Sequence, residues 1–277
     1  MLMMDTGFSP ELCSGDPDGN SLFFAFREQS ALLSGTEDRL SLPRFSQIKP
    51  FLPQGVSLFC LGSVESRPVF CLDPFADAFI PETEALHYHK MRISRALPLP
   101  EAGWLYTAWH LWSWYRRNRH CGLCGSGTAF SVTERALVCT KCGQPFYPVI
   151  SPAVIVAITC GDYLLQVSTT YGEKNRFALV AGYVEAGETL EHAVRREAME
   201  ETGLELKNLE YLGNQPWGFS GALMFAFHAE ADRHAPLTLQ ESEIAAARWI
   251  HRKDLPMGDN PVSVSYSLIE QFLNGKW

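Results

Sequence analysis

A helix that packs on a protein core turns its apolar residues inward, and the segment REAMEETG at 196–203 does not obey that rule. Counted at about 100° per residue from Thr189, with Glu197 at zero, Leu190, Ala193, Val194 and Ala198 fall in an arc from about −40° to about 100°. Glu201 falls inside this arc and Glu200 at its edge, whereas Glu191, Arg195 and Arg196 fall outside it. An acidic helix face is ordinarily solvated. Here the carboxylates of Glu197 and Glu201 point where the core must be. Removing each from water costs several kcal/mol even after relaxation. Each close pair adds repulsion of about 4 kcal/mol at an effective dielectric of 20. With no Lys or Arg in the arc, the pattern calls for a divalent cation, and clustered carboxylate oxygens favour Mg²⁺ or Mn²⁺ over zinc.

A second pattern is as specific. Cys121-x2-Cys124 and Cys139-x2-Cys142 are separated by 14 residues, with Gly125 and Gly143 following each second cysteine. Each pair sets two thiolates on a knuckle whose tight turn the glycine permits. Four sulfurs close a tetrahedral Zn²⁺ site with no open position, so this zinc is structural. Binding it supplies roughly 10–16 kcal/mol to a module too small for a core. Two disulfides are the alternative, disfavoured in a reducing compartment.

The 277 residues, 46% hydrophobic and 19% charged, suggest two domains with a small third module. A net charge of −8 argues against broad binding to DNA or anionic membranes. MLMMDTGFSPEL lacks a cationic signal region and no apolar run reaches 18 residues, so a cytoplasmic chain is expected. Cys13, Cys60, Cys71 and Cys160 are scattered and are expected as reduced, buried thiols.

The expected organisation is an N-terminal α/β domain over 1–115, a zinc ribbon over 116–149 and a third domain over 150–277. In the first, SLFFAF, VSLFCLG and PVFCL read as strands, the last two forming a hairpin around SVESR. A helix over 103–120 is expected to bury Trp104, Ala108, Leu111, Trp112 and Tyr115. Its RRNRH end is either a solvated terminus complementing the helix dipole or an anion or RNA contact. In the third domain, SPAVIVAIT, YLLQVS, ALMFAFHAE and AARWI read as strands, and SVSYSLIEQFL as a closing helix.

Gly182, Glu188 and the run Arg196-Glu197-Ala198-Met199-Glu200-Glu201-Thr202-Gly203-Leu204 resemble the Nudix box, GX5EX7REUXEEXGU. Ala198 is smaller than the usual aliphatic. The ribbon upstream and Asn214-Gln215-Pro216-Trp217-Gly218-Phe219-Ser220-Gly221-Ala222 downstream resemble the NADH pyrophosphatase subfamily, whose signature is SQPWPFPxS. The first serine is Asn214, the later prolines are Gly218 and Ser220, and the final serine is Ala222. The resemblance covers about residues 92–270.

The resemblance implies a Nudix α/β/α sandwich behind the ribbon and the N-terminal α/β domain. It implies metal-dependent hydrolysis of NAD(H) to NMN(H) and AMP, including removal of NAD caps from the 5′ end of RNA, by a homodimer. Carried over by position, Glu197, Glu200, Glu201, Glu243 and the Ala181 carbonyl would hold Mg²⁺ or Mn²⁺. Glu201, with Glu200 second, would be the catalytic base, and Arg196 would orient Glu197 or Glu200. Arg92, Tyr147, Tyr183, Gln215, Pro216, Trp217, Phe219 and Ser265 would contact substrate. The altered signature admits another dinucleotide, such as ADP-ribose or FAD. A non-catalytic nucleic-acid-binding protein is a second alternative, which the intact glutamates disfavour.

Overall fold

The computed structural model describes all residues except 1, 4–6, 14, 37–38, 171–175 and 259, with the side chains of 2, 3 and 93–95 also outside the description. Two compact units emerge. One comprises Met1–Met4, Ile150–Trp217 and Ala222–Trp277; the other comprises Asp5–Val149 and Gly218–Gly221.

The first unit is built on the strand Ser151–Cys160, whose VIVAI run is apolar at every position. Such a run suits a strand covered on both faces. Val154, Val156 and Ile158 enter one core with Ala193, Val194 and Ala198 of the helix Leu190–Thr202. Ile155 and Ala157 enter the opposite core with Val264, Leu268, Ile269 and Phe272 of the helix Val264–Leu273. The result is a helix–sheet–helix sandwich.

Among the described residues the sheet has seven strands. Ser151–Cys160 runs parallel to Ala222–Glu230 and antiparallel to Val180–Tyr183. Its end turns at Gly161 (φ 55°) into Tyr163–Thr169, which pairs with Ile244–His251. Lys207–Trp217 lies outside Ala222–Glu230, and Leu2–Met3 pairs parallel to its Gly213–Asn214. The sequence reading contained no strand at 207–217, because KNLEYLGNQPW is mostly polar and interrupted by Gly and Pro.

The second unit contains two four-stranded sheets and the three-stranded ribbon sheet. The expected hairpin is present as Leu58–Val64 and Arg67–Leu72. Its turn is only Glu65-Ser66, both at positive φ (47° and 63°), the backbone of a two-residue hairpin turn. The long helix spans Leu99–Arg117 and buries Leu105, Ala108, Trp109, Leu111, Trp114 and Tyr115. Trp109 and Trp114 are the buried tryptophans, whereas Trp104 and Trp112 are half-buried. Apolar residues surround this helix, so periodicity alone did not select the face.

The basic end of that helix is tied down. Arg116 donates to the carbonyls of Pro74 and Ala76, and both Arg116 and Arg119 bond the Asp77 carboxylate at 3.2 Å. The two guanidiniums hold the Asp77 carboxyl below its ordinary range. Arg116 and Arg119 of the cluster are therefore engaged inside the unit. Cys13 and Cys60 are also not free thiols: they are joined as a disulfide that ties the start of this unit to its hairpin. Among the described residues, no helix is long and apolar enough to cross a membrane.

Phe272 is fully buried in the core beneath the closing helix. Phe272→Ala is expected to destabilise the unit by about 3–5 kcal/mol, read as a lowered denaturant midpoint.

Candidate active site and metal centre

The four cysteines converge. Sγ of Cys121 and Cys142 lie 3.7 Å apart, Cys124 and Cys139 3.5 Å, and Cys124 and Cys142 3.7 Å. A tetrahedron with metal–sulfur bonds of about 2.3 Å has edges of about 3.8 Å. Gly125 (φ 74°) and Gly143 (φ 73°) donate their N–H groups to the carbonyls of Cys121 and Cys139, closing the two knuckles. The backbone N–H groups of Cys142 and Lys141 point at Cys139 Sγ and pull that thiol down to about 6, favouring the thiolate that binds metal. The donor set fits a structural zinc.

The acidic helix is fixed at both ends. Thr189 Oγ1 accepts from His192 N–H, and Gly203 in the left-handed region (φ 74°) donates to Met199 O. Glu197 then lies directly over the strand Val180–Tyr183. A Cβ on Gly182 would stand 2.0 Å from Glu197 Oε1, so the bare glycine makes room for the carboxylate.

Arg196 ties strand, loop and helix together. It donates through Nε and Nη2 to Glu188, through Nη2 to the Tyr183 carbonyl, and through Nη1 to Glu197 and Glu200, all at 2.8–3.0 Å. Glu188 also accepts the Glu185 N–H; with Arg196 this lowers its carboxyl to about 2. Arg196 leaves from beside the arc and its long side chain folds back onto two of the three glutamates.

Glu201 is the exception. It is 6% exposed, and its buried Oε2 has no hydrogen-bond partner. Burial, then the charges of Glu197, Glu243 and Glu200, push its carboxyl up to about 8. Glu197 is raised too, chiefly by burial, with Arg196 opposing. An orphaned carboxylate facing three others fits a divalent cation. Among the described residues, only the four cysteines bring three ligand atoms within 4.8 Å of one another. The glutamates stand more widely, Glu197 and Glu200 being engaged by Arg196.

The other expected residues divide between the units. Ala181 sits in the strand opposite Ile155, and the Tyr183 side chain at that strand's end is half exposed, not packed in a core. Glu243 precedes the strand Ile244–His251 and is solvent-exposed, yet its charge reaches Glu197 and Glu201. Ser265 is half-buried in the first turn of the closing helix. Pro216 is exposed and Trp217 half-buried at the end of their strand. The Gln215 side chain is buried and donates to Val262 O at 2.5 Å, a brace for the segment before the closing helix.

Arg92, Tyr147 and Phe219 belong to the second unit. Arg92 is exposed in a short 3₁₀ turn. Tyr147 OH donates to Glu134 at 3.2 Å. The Phe219 carbonyl accepts from Trp109 Nε1. The sequence reading did not single out Glu134 or Trp109, and no motif marks either.

Residues 150–271 match the NUDIX domain. Residues 116–147 match the NADH pyrophosphatase zinc ribbon domain, so the chain joins these two modules in one polypeptide. Among curated proteins, the NAD-capped RNA hydrolase NudC of Shigella flexneri is 43% identical over 156 residues, which is 56% of this chain and 60% of that protein. The proteins of the same name in Escherichia coli strains O1:K1 / APEC and HS are 42% identical over the same shares. The match thus spans about 60% of the length of these relatives. A Nudix hydrolase crystal structure from Nitrosomonas europaea aligns with 57% of this chain and 92% of its own, at 18% identity and a TM-score of 0.47.

Cys142→Ser is expected to abolish zinc retention, against about one zinc per wild-type chain, measured by elemental analysis. The raised Glu201 carboxyl makes a second prediction. Between its unfolded value of 4.5 and its folded value of about 8, the folded state holds the extra proton. Stability therefore falls as pH rises across that window when Mg²⁺ and Mn²⁺ are absent. Glu201→Gln should flatten the fall, as followed by thermal melts in metal-free buffer.

Proposed function

We propose that this chain is a metal-dependent NAD(H) diphosphatase that also removes NAD caps from the 5′ end of RNA. The observation that carries the reading is the buried, unpartnered Glu201 carboxylate on a Nudix helix, in a chain that also bears the NADH pyrophosphatase zinc ribbon. The name of its relatives, NAD-capped RNA hydrolase, supports the substrate.

Glu197, Glu200, Glu201, Glu243 and the Ala181 carbonyl are the groups that would hold Mg²⁺ or Mn²⁺. Such ions would neutralise the diphosphate oxygens that otherwise repel a nucleophile. Glu201 Oε2 takes the water's proton as oxygen adds to phosphorus and the bridging P–O bond breaks. Nearby positive charge lowers its raised pKa and readies it as a base. Arg196 keeps Glu197 and Glu200 in place against the Tyr183 carbonyl. Tyr183 and Trp217 offer faces for the nicotinamide or adenine ring. Tyr147, Arg92, Pro216, Phe219 and Ser265 are the remaining proposed contacts, and the acting species is a homodimer.

Incubated with NADH and Mn²⁺, the wild type is expected to yield NMNH and AMP by mass spectrometry. Glu201→Gln should lower kcat by about 10²–10⁴-fold. Intact NADH beside a folded, zinc-loaded wild type would sink the reading and direct attention to ADP-ribose.

A further inference from the structure

The hairpin that carries Gln215, Pro216 and Trp217 does not turn within its own unit. Both strands, Lys207–Trp217 and Ala222–Glu230, belong to the Nudix unit, but the turn Gly218–Gly221 belongs to the other. The contacts that hold this turn come from one side of the long helix Leu99–Arg117.

Gly218 is buried with its Cα against the helix backbone. A Cβ there would stand 2.2 Å from the Tyr106 carbonyl oxygen and 2.6 Å from its carbon. These are backbone atoms and cannot move aside. The φ of Gly218 is not left-handed, so glycine is needed for room and not for angle. Trp109 Nε1 donates to the Phe219 carbonyl at 3.3 Å, and the Tyr106 ring meets Phe219 edge-on at 6.3 Å. Gly221 (φ 75°) closes the turn beside His110 Nε2, 3.1 Å from where a Cβ would be. The same His110 Nε2 lies 2.8 Å from the Val149 carbonyl, so it carries the proton and donates. Val149 is the residue from which the chain enters the Nudix unit. One helix therefore grips the chain where it enters the Nudix unit and where the hairpin turns.

The hairpin needs an external hold. Its ladder runs unbroken from the Gly213–Ala226 pair to the Trp217–Ala222 pair beside the turn, and the register shifts twice farther back, between Lys207 and Glu210 and between Tyr211 and Gly213. The shifts set this short run apart from the rest of the ladder, so a hold at the turn acts on its register directly. Gly218 and Ser220 leave the turn without the proline stiffening of the signature it resembles.

We infer that Trp109 and His110, with the Tyr106 backbone, form a clamp on the turn Gly218–Gly221 that sets the register of Pro216 and Trp217. They are positioning residues for the substrate's ring-binding strand. Only the kinetic consequence rests on the function proposed above. The inference also accounts for Gly218: the residue fits the clamp, so its departure from the resembled signature is a matter of docking.

Two full-length variants approach the contact from opposite sides. Trp109→Phe keeps a ring but loses the donor, and Gly218→Ala drives a methyl into the Tyr106 carbonyl. Both are expected to speed amide hydrogen exchange in peptides covering 212–223, with exchange across 151–160 and zinc content unchanged. KM for NADH should rise roughly threefold to tenfold, the scale of one hydrogen bond, while kcat stays within about twofold. Unchanged exchange at 212–223 in Trp109→Phe, or a fall in kcat at constant KM, would overturn the inference. Should Gly218→Ala fail to fold, Trp109→Phe decides. Should the wild type not cleave NADH, the proposed function fails by itself, and hydrogen exchange still judges the clamp.

Discussion

The architecture of the acidic site depends on the close approach of Glu197 to the bare backbone of Gly182. That approach brings the helix Leu190–Thr202 so near the strand Val180–Tyr183 that a carboxylate, not a methyl group, meets the sheet. The burial this imposes is offset by Arg196, whose five hydrogen bonds join the end of the strand, the loop glutamate and two helix glutamates. With strand and helix locked by charge-assisted bonds, Glu201 one turn along is carried inward with nothing to pair with. The polar framework thus gives Glu188, Glu197 and Glu200 hydrogen-bond partners and leaves Glu201 Oε2 without one.

Much of this was legible in the sequence because helical geometry is periodic. The positions of Glu197, Glu200 and Glu201 relative to Ala193, Val194 and Ala198 follow from turn angle alone, and Cys-x2-Cys spacing similarly prescribes a knuckle. Side-chain reach is not periodic. Arg196 lies beside the apolar arc, and only its folded conformation shows that it covers two glutamates. The strand 207–217 was hidden because it is paired on its outer side only at Gly213–Asn214, and the rest of that side tolerates Pro216 and polar residues that a fully paired strand would reject. The bond from the buried Gln215 side chain to the Val262 carbonyl joins residues far apart in sequence, and no spacing announces it. The Cys13–Cys60 bond joins residues 47 apart in sequence with no motif between them, and the choice of buried tryptophans depended on neighbouring strands.

The two modules rely on different sources of order. The Nudix unit has a strand whose alternate residues serve two separate cores, so the loss of one large side chain is felt through the whole sandwich. The ribbon has short strands and few buried residues, and four sulfurs at near-ligand spacing take the place of a core. The long helix contributes the side chains that bond Val149 and the turn Gly218–Gly221, all within its own unit.

The parallel pairing of Leu2–Met3 with Gly213–Asn214 joins segments that lie far apart along the chain. Residues 2–3 supply an edge that can be laid down only once the distant segment has taken its own place in the sheet. The sheet is thus completed by a contact of very long sequence separation, and contacts so distant along the chain form slowly. That edge is a place where assembly is open to interference long after the local elements have acquired their shapes.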